Sequence, residues 1–255
     1  MKIVLKIGGA FLNKYQESTW IEEVGNLYRK GHEIIIVHGA GPYINEAFEK
    51  KGISPQFIDG QRVTQTHEVE IVEQVLTHQI NPRLAHQFMS RSLPVIGISG
   101  LTARTLECSP LDKRLGQVGK VESVNQPFLN DLTKHGVVLL SPIGINMRGH
   151  DKFNINADVA AAEIAKSWDA TLLFLTGEKG LLDDQGGVIT HINSQEVDHM
   201  IDNKSIRGGM IIKARMIQSL LAKNSKVALL NAESHKPLEA FIFDKKVQGT
   251  LFLPQ

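Results

Sequence analysis

Six short apolar runs recur along the chain with stretches of helical periodicity between them, and this alternation restricts the fold more than any other feature. The runs are IVLKI at 3–7, EIIIVH at 33–38, PVIGIS at 94–99, VVLLSPI at 137–143, TLLFLT at 171–176 and KVALLNA at 226–232. Each is continuous rather than alternating, the pattern of strands buried on both faces. Between them Trp20, Ile21, Val24, Leu27 and Tyr28 fall at helical spacing, as do Val69, Val72, Val75, Leu76 and Ile80. Pro82 is expected to kink or end the second of these helices, because proline lacks the N–H that an interior turn needs. The pattern predicts an α/β fold built from βαβ units, with a mainly parallel sheet covered on both faces. Residues 102–125 have weak periodicity and are expected to form short strands or loops at the sheet's edge.

A chain of 255 residues, 42% of them apolar, can bury a sizeable core, and no linker or composition break divides it into independent domains. With 28 Lys and Arg against 27 Asp and Glu, no basic field marks a nucleic-acid or membrane-surface binder, so any anion must be recognised by local charge. The single cysteine, Cys108, cannot form an intrachain disulfide, which fits a reducing compartment. No apolar run approaches the roughly 20 residues of a membrane span, and MKIVLKIGG lacks the length and cleavage region of a signal peptide. The expectation is a cytoplasmic enzyme.

Lys6 is out of place in the first of these strands. An ammonium in a strand covered on both faces is desolvated unless an anion meets it. Gly8 and Gly9 follow directly, leaving the backbone free to turn tightly and point N–H groups outward, as in phosphate-cradling βα turns. A second such turn is Gly39, Ala40 and Gly41 in VHGAGP. Neither turn completes a Walker or dinucleotide fingerprint. Lys213, beside the apolar stripe of the segment that begins at Gly208, Gly209 and Met210, raises the same objection, compounded by a helix N-terminus that disfavours a cation. Snorkelling to water is the structural alternative there.

In KFNINADVAAAEIAKSW, Asn156 reads as a helix N-cap and Asp158 as a first-turn carboxylate that complements the dipole. Asn154 and Asn156, two residues apart, put their amides on one side of an extended segment and can bind a polar ligand together. Asp158 can also hold lysine ammonium groups in position. Arg62 in DGQRVTQTHEVE precedes a helix whose expected N-cap is Thr66, and an arginine there can hold a carboxylate by two parallel hydrogen bonds.

Taken in order, KIGG, VHGAGP, GQRVT, GQVGKVESVN, SPIG, FNINAD, LTGEKGLL and GGMIIK resemble the amino acid kinase family almost end to end. GQRVT and NINAD are the specific motifs, and they point to the branch acting on N-acetyl-L-glutamate. The resemblance implies an open αβα sandwich in which residues 1–170 form a lobe for the amino-acid substrate and dimerisation, and residues 171–255 a lobe for ATP. It implies Lys6 and Lys213 as the phosphoryl-transfer lysines with Asp158 holding them, and Gly39, Ala40, Gly41, Arg62, Asn154 and Asn156 around the substrate. The nucleotide would lie near Gly8, Gly9, Thr176, Gly177, Leu181, Gly208, Gly209 and Met210. ATP with Mg²⁺ bridging its phosphates is the implied co-substrate, with few direct protein ligands to the metal. Arginine-inhibited members carry an extra helix before the first strand; here only Met1 precedes Lys2, so the expectation is an arginine-insensitive homodimer.

Three positions depart from the family pattern. The usual glycine triplet reads Gly39, Ala40, Gly41, where a methyl is expected to displace an amide or crowd the substrate. Gly177 stands where a carboxylate is usual, and the loop ISGLTARTLEC replaces a G-K-D-G type turn. These leave open a kinase of a related substrate, such as an aminoadipate derivative, a phosphate or a phosphonate. They also leave open a catalytically silent amino-acid sensor, although a sensor needs no lysine clamp.

Overall fold

The computed structural model describes residues 1–14, 19–146, 150–183, 185–203, 216–218, 220–221 and 226–253. Its strands are β1 (Lys2–Ile7), β2 (Glu33–His38), the hairpin β3 (Phe57–Ile58) and β4 (Gln61–Arg62), β5 (Val95–Ser99), β6 (Leu106–Pro110), β7 (Gly119–Val124), β8 (Val137–Ser141), β9 (Ile143–Asn146), β10 (Lys152–Asn154), β11 (Thr171–Thr176), β12 (His191–Asn193), β13 (Val227–Asn231) and β14 (Gly249–Leu253). The helices are α1 (Gly9–Lys14), α2 (Trp20–Arg29), α3 (Gly41–Glu49), α4 (Val69–Glu73), α5 (Asn81–Met89), α6 (Gln126–Thr133), α7 (Ala157–Trp168), α8 (Ser194–Asp202) and α9 (Pro237–Ile242).

Eight strands form the main sheet in the order β12-β14-β13-β11-β1-β2-β8-β5. Neighbours run parallel except β13 and β14, which are antiparallel. β1 lies between β11 and β2, and its side chains alternate between two apolar layers. Ile3, Leu5 and Ile7 join a cluster with residues of α2, α3 and α5, while Val4 joins a cluster with α7 on the other face. Lys6 therefore shares the face of Val4 and points toward α7. The fold is the expected α/β sandwich, and among the described residues no helix is long and apolar enough to cross a membrane.

Three local expectations need correction, and one is met. The run VVLLSPI does not form one strand: β8 ends at Ser141, and β9 starts at Ile143 in a separate four-stranded sheet, β10-β9-β6-β7. Pro142, with no N–H to donate, stands at the break. Residues 102–125 supply β6 and β7 to that second sheet instead of lying along the edge of the first. Pro82 stands where the helix of Val69–Ile80 gives way to α5, in whose first turn a missing N–H is not needed. The turns before it, Gln74–Ile80, widen to a π-helix. Thr66 is not a cap: α4 starts only at Val69, after a turn in which the Glu68 carboxylate accepts from the Gln65 N–H at 2.7 Å.

Candidate active site

The carboxyl ends of the parallel strands converge on a cleft of about 240 Å³ lined by both glycine turns, Lys6, Arg62, Asn154, Asn156 and Asp158. Such a place is where open α/β sheets bind ligands, because the loops that leave adjacent strands diverge there. Register accounts for the meeting of the turns. Lys6 pairs with Val37 and Ile7 with His38, so the chain leaves β1 and β2 side by side. The Gly39 N–H donates to Ile7 O at 2.9 Å, and a Cβ on Gly9 would fall 2.7 Å from Gly41 N. Glycine at 9 is thus required by close approach of one backbone to another.

Lys6 Nζ lies 2.6 Å from Asp158 Oδ1, both side chains mostly buried. The carboxylate is placed by its helix: Asn156 caps α7, its Oδ1 accepting from the Asp158 N–H at 2.8 Å. The cap fixes the start of the helix, and the first turn then carries Asp158 across from β1. Asn154, at the end of β10, donates from Nδ2 to Thr64 Oγ1 at 3.1 Å, and the Thr64 hydroxyl donates to Arg62 O at 3.2 Å. This links the segment of the two asparagines to the hairpin of Arg62.

Arg62 as a whole residue is 9% exposed. Nη2 donates to Asn45 Oδ1 at 2.5 Å and approaches Gly41 O at 3.4 Å. Nη1 is buried without a hydrogen-bond partner among the described residues. Burial pulls the Arg62 pKa down from its ordinary value and Glu68 opposes this, yet an arginine stays charged at neutral pH. A buried cation with an unfilled donor favours an anion in the cleft.

Ala40 borders the cleft and packs into the core behind it. It is 2% exposed and belongs to an apolar cluster with Phe11 and Ile44. Its φ of −145° needs no glycine. Thr176 and Gly177 follow directly on Leu175, which pairs with Ile7 at the end of β1. Leu181 is core, 5% exposed, its amide donating to Thr250 Oγ1 at 2.8 Å. Gly208, Gly209, Met210 and Lys213 lie outside the described residues.

Sequence reading missed Asn45, Phe57, Thr64 and a buried polar group behind the second turn. Asn45 had a signal, since it stands one helical turn after Gly41 on α3. The buried group had none. The Asn81 amide nitrogen lies within 3.2 Å of Ile98 O, Leu139 O, His38 Nε2 and Ser141 Oγ. The Ser141 hydroxyl reaches Leu76 O at 3.2 Å in the π-helical stretch. Burial pushes His38 down to about 4, so its imidazole is neutral.

A model of the amino acid kinase family matches residues 1–231. An acetylglutamate kinase of Clostridium acetobutylicum is 37% identical, with 88% of this chain and 80% of that protein covered. One of Aquifex aeolicus is 31% identical, covering 97% and 90%. Among solved structures, the Streptococcus mutans protein smu.665 superposes with a TM-score of 0.86 at 25% identity, covering 100% of this chain and 99% of that one. An N-acetylglutamate synthase from Neisseria gonorrhoeae, complexed with coenzyme A and N-acetyl-glutamate, shares the fold over 59% of its length, with a TM-score of 0.87 at 20% identity.

Proposed function

The chain belongs to the amino acid kinase family, and from that membership we propose that it transfers the γ-phosphoryl group of ATP to the side-chain carboxylate of N-acetyl-L-glutamate. The product is N-acetyl-L-glutamyl 5-phosphate, an intermediate of arginine biosynthesis. The observation that supports this best is the convergence of Lys6, held by Asp158, with the buried Arg62 and two glycine turns in one cleft. That arrangement offers cations and backbone N–H groups to two anionic ligands at once.

A glutamate-like side chain, with an unperturbed pKa of about 4.3, is ionised at neutral pH and needs no general base. A carboxylate oxygen attacks the γ-phosphorus, the new P–O bond forms, and the bond to the β–γ bridging oxygen breaks with its electron pair leaving on ADP. Catalysis then rests on alignment and on charge matched to the transferring group. Lys6 serves the transferring oxygens, Asp158 fixes its ammonium, and Lys213 serves the leaving side. Arg62 takes the α-carboxylate, while Asn154, Asn156 and the backbone of Gly39, Ala40 and Gly41 surround the rest of the amino acid.

The nucleotide is assigned to Gly8, Gly9, Thr176, Gly177, Leu181, Gly208, Gly209 and Met210, with residues 171–255 as its lobe and 1–170 as the substrate and dimerisation lobe. Mg²⁺ enters as MgATP and offsets phosphate charge. We further propose a cytoplasmic homodimer: β5 ends the main sheet, its Val95, Ile96 and Gly97 are not buried, and a second copy can cover that edge.

The test is a hydroxylamine trap with MgATP and N-acetyl-L-glutamate, run beside glutamate, aspartate and N-acetyl-aminoadipate. Hydroxamate formed with N-acetylglutamate alone is the expected result. None with any acceptor, while ATP still binds, would overturn the assignment.

A further inference from the structure

Phe57 is a large apolar side chain, 54% exposed, whose place is set by the turn beside it. Asp59 and Gly60 both have positive φ, 49° and 76°, the two-residue hairpin turn that Asp-Gly favours. That turn pairs Ile58 with Gln61 and Phe57 with Arg62, which places the last two side chains on one face of the hairpin. The Arg62 guanidinium carbon lies 4.8 Å from the Phe57 ring centroid and 5.3 Å from that of Phe48. Phe48 is buried on α3 and Phe57 faces the cleft. The guanidinium thus lies close to two rings, with Nη2 tied to Asn45 and Nη1 left over.

We propose that Phe57 is a positioning residue for substrate binding, acting through Arg62. Its ring covers the outer face of the guanidinium, keeps water from it, and holds the plane in which Nη1 meets the substrate's α-carboxylate. A ring on a guanidinium gains a cation–π contact that strengthens as water is excluded, and Phe57 makes that contact with Arg62. This rests on the assignment of Arg62 to the α-carboxylate and adds what fixes its orientation.

The experiment is steady-state kinetics on Phe57→Ala, Phe57→Leu and Phe57→Trp, with Arg62→Gln and the double variant Phe57→Ala/Arg62→Gln, each with a melting temperature. Phe57→Ala and Phe57→Leu are expected to raise KM for N-acetylglutamate about tenfold, with kcat, KM for ATP and Tm unchanged. Phe57→Trp should restore wild-type KM, since indole presents a stronger π face. In the Arg62→Gln background, Phe57→Ala should lower kcat/KM no further. A leucine variant with wild-type KM, or losses that add in the double variant, would overturn the role of Phe57. Wild-type protein that makes no hydroxamate from N-acetylglutamate would instead overturn the substrate assignment.

Discussion

The Lys6 ammonium and the Asp158 carboxylate meet at 2.6 Å, joining the central strand of the sheet to the first turn of α7. Most of each side chain is out of water, so neither charge is stable there without the other. Lys6→Ala should cut kcat by at least about a hundredfold, the usual loss when one electrostatic donor to a transition state is removed. Circular dichroism must show the variant folded. Near-normal turnover in folded protein would exclude Lys6 from the chemistry.

Arg62 should separate binding from chemistry. Arg62→Gln removes charge-assisted hydrogen bonds worth about 1.5–3 kcal/mol, so KM for N-acetylglutamate should rise roughly ten- to hundredfold. KM for ATP should stay put. A matching rise for ATP would place Arg62 at the nucleotide instead.

Ala40 offers a test in the opposite sense. Ala40 borders the cleft, yet it is almost fully buried and packs in the apolar cluster with Phe11 and Ile44. Ala40→Gly should leave KM within about twofold and lower stability by roughly 0.5–1 kcal/mol, chiefly through chain entropy and the lost methyl. A large fall in KM would show that the methyl does crowd the substrate.

Asn81 and Gly97 should be energetically coupled. A Cβ at Gly97 would collide with Asn81 Oδ1, and the Asn81 amide nitrogen contacts buried groups of β2, β5 and β8. Asn81→Ala should cost about 1–3 kcal/mol in denaturant unfolding. Gly97→Ala should be destabilising alone and much less so in the Asn81→Ala background. Additive losses would show that the two sites are independent.

His38 sets a pH dependence. Its folded pKa is lowered from 6.5 to about 4 by burial, so the unfolded chain binds the proton first on acidification. The stability it contributes is complete above about pH 6.5 and is lost as the pH falls from there toward 4, amounting to about 3 kcal/mol. In His38→Gln the slope of unfolding free energy against pH should be shallower across that window. An unchanged slope would assign the acid sensitivity to other groups.

Much of the molecule was legible in the order of its residues. The runs at 3–7, 33–38, 171–176 and 226–232 mark β1, β2, β11 and β13 because a buried strand needs an unbroken apolar stretch. Asn156 and Asp158 were legible because a helix start has local requirements, an acceptor for its free N–H groups and a negative charge near them. Lys6 stood out because a cation in such a strand has a cost that only a partner removes. Sequence left the choice of neighbours open: that β1 lies between β11 and β2, that Pro142 divides one apolar run between two sheets, and that Phe57 and Asn45 close on Arg62. The strand order joins residues far apart in the chain, and the meeting of the Phe57–Arg62 hairpin with α3, like the split at Pro142, is settled by which surfaces pack together once all the elements compete for the same core. Local propensity specified the pieces; long-range packing decided which of their polar groups would share one cleft.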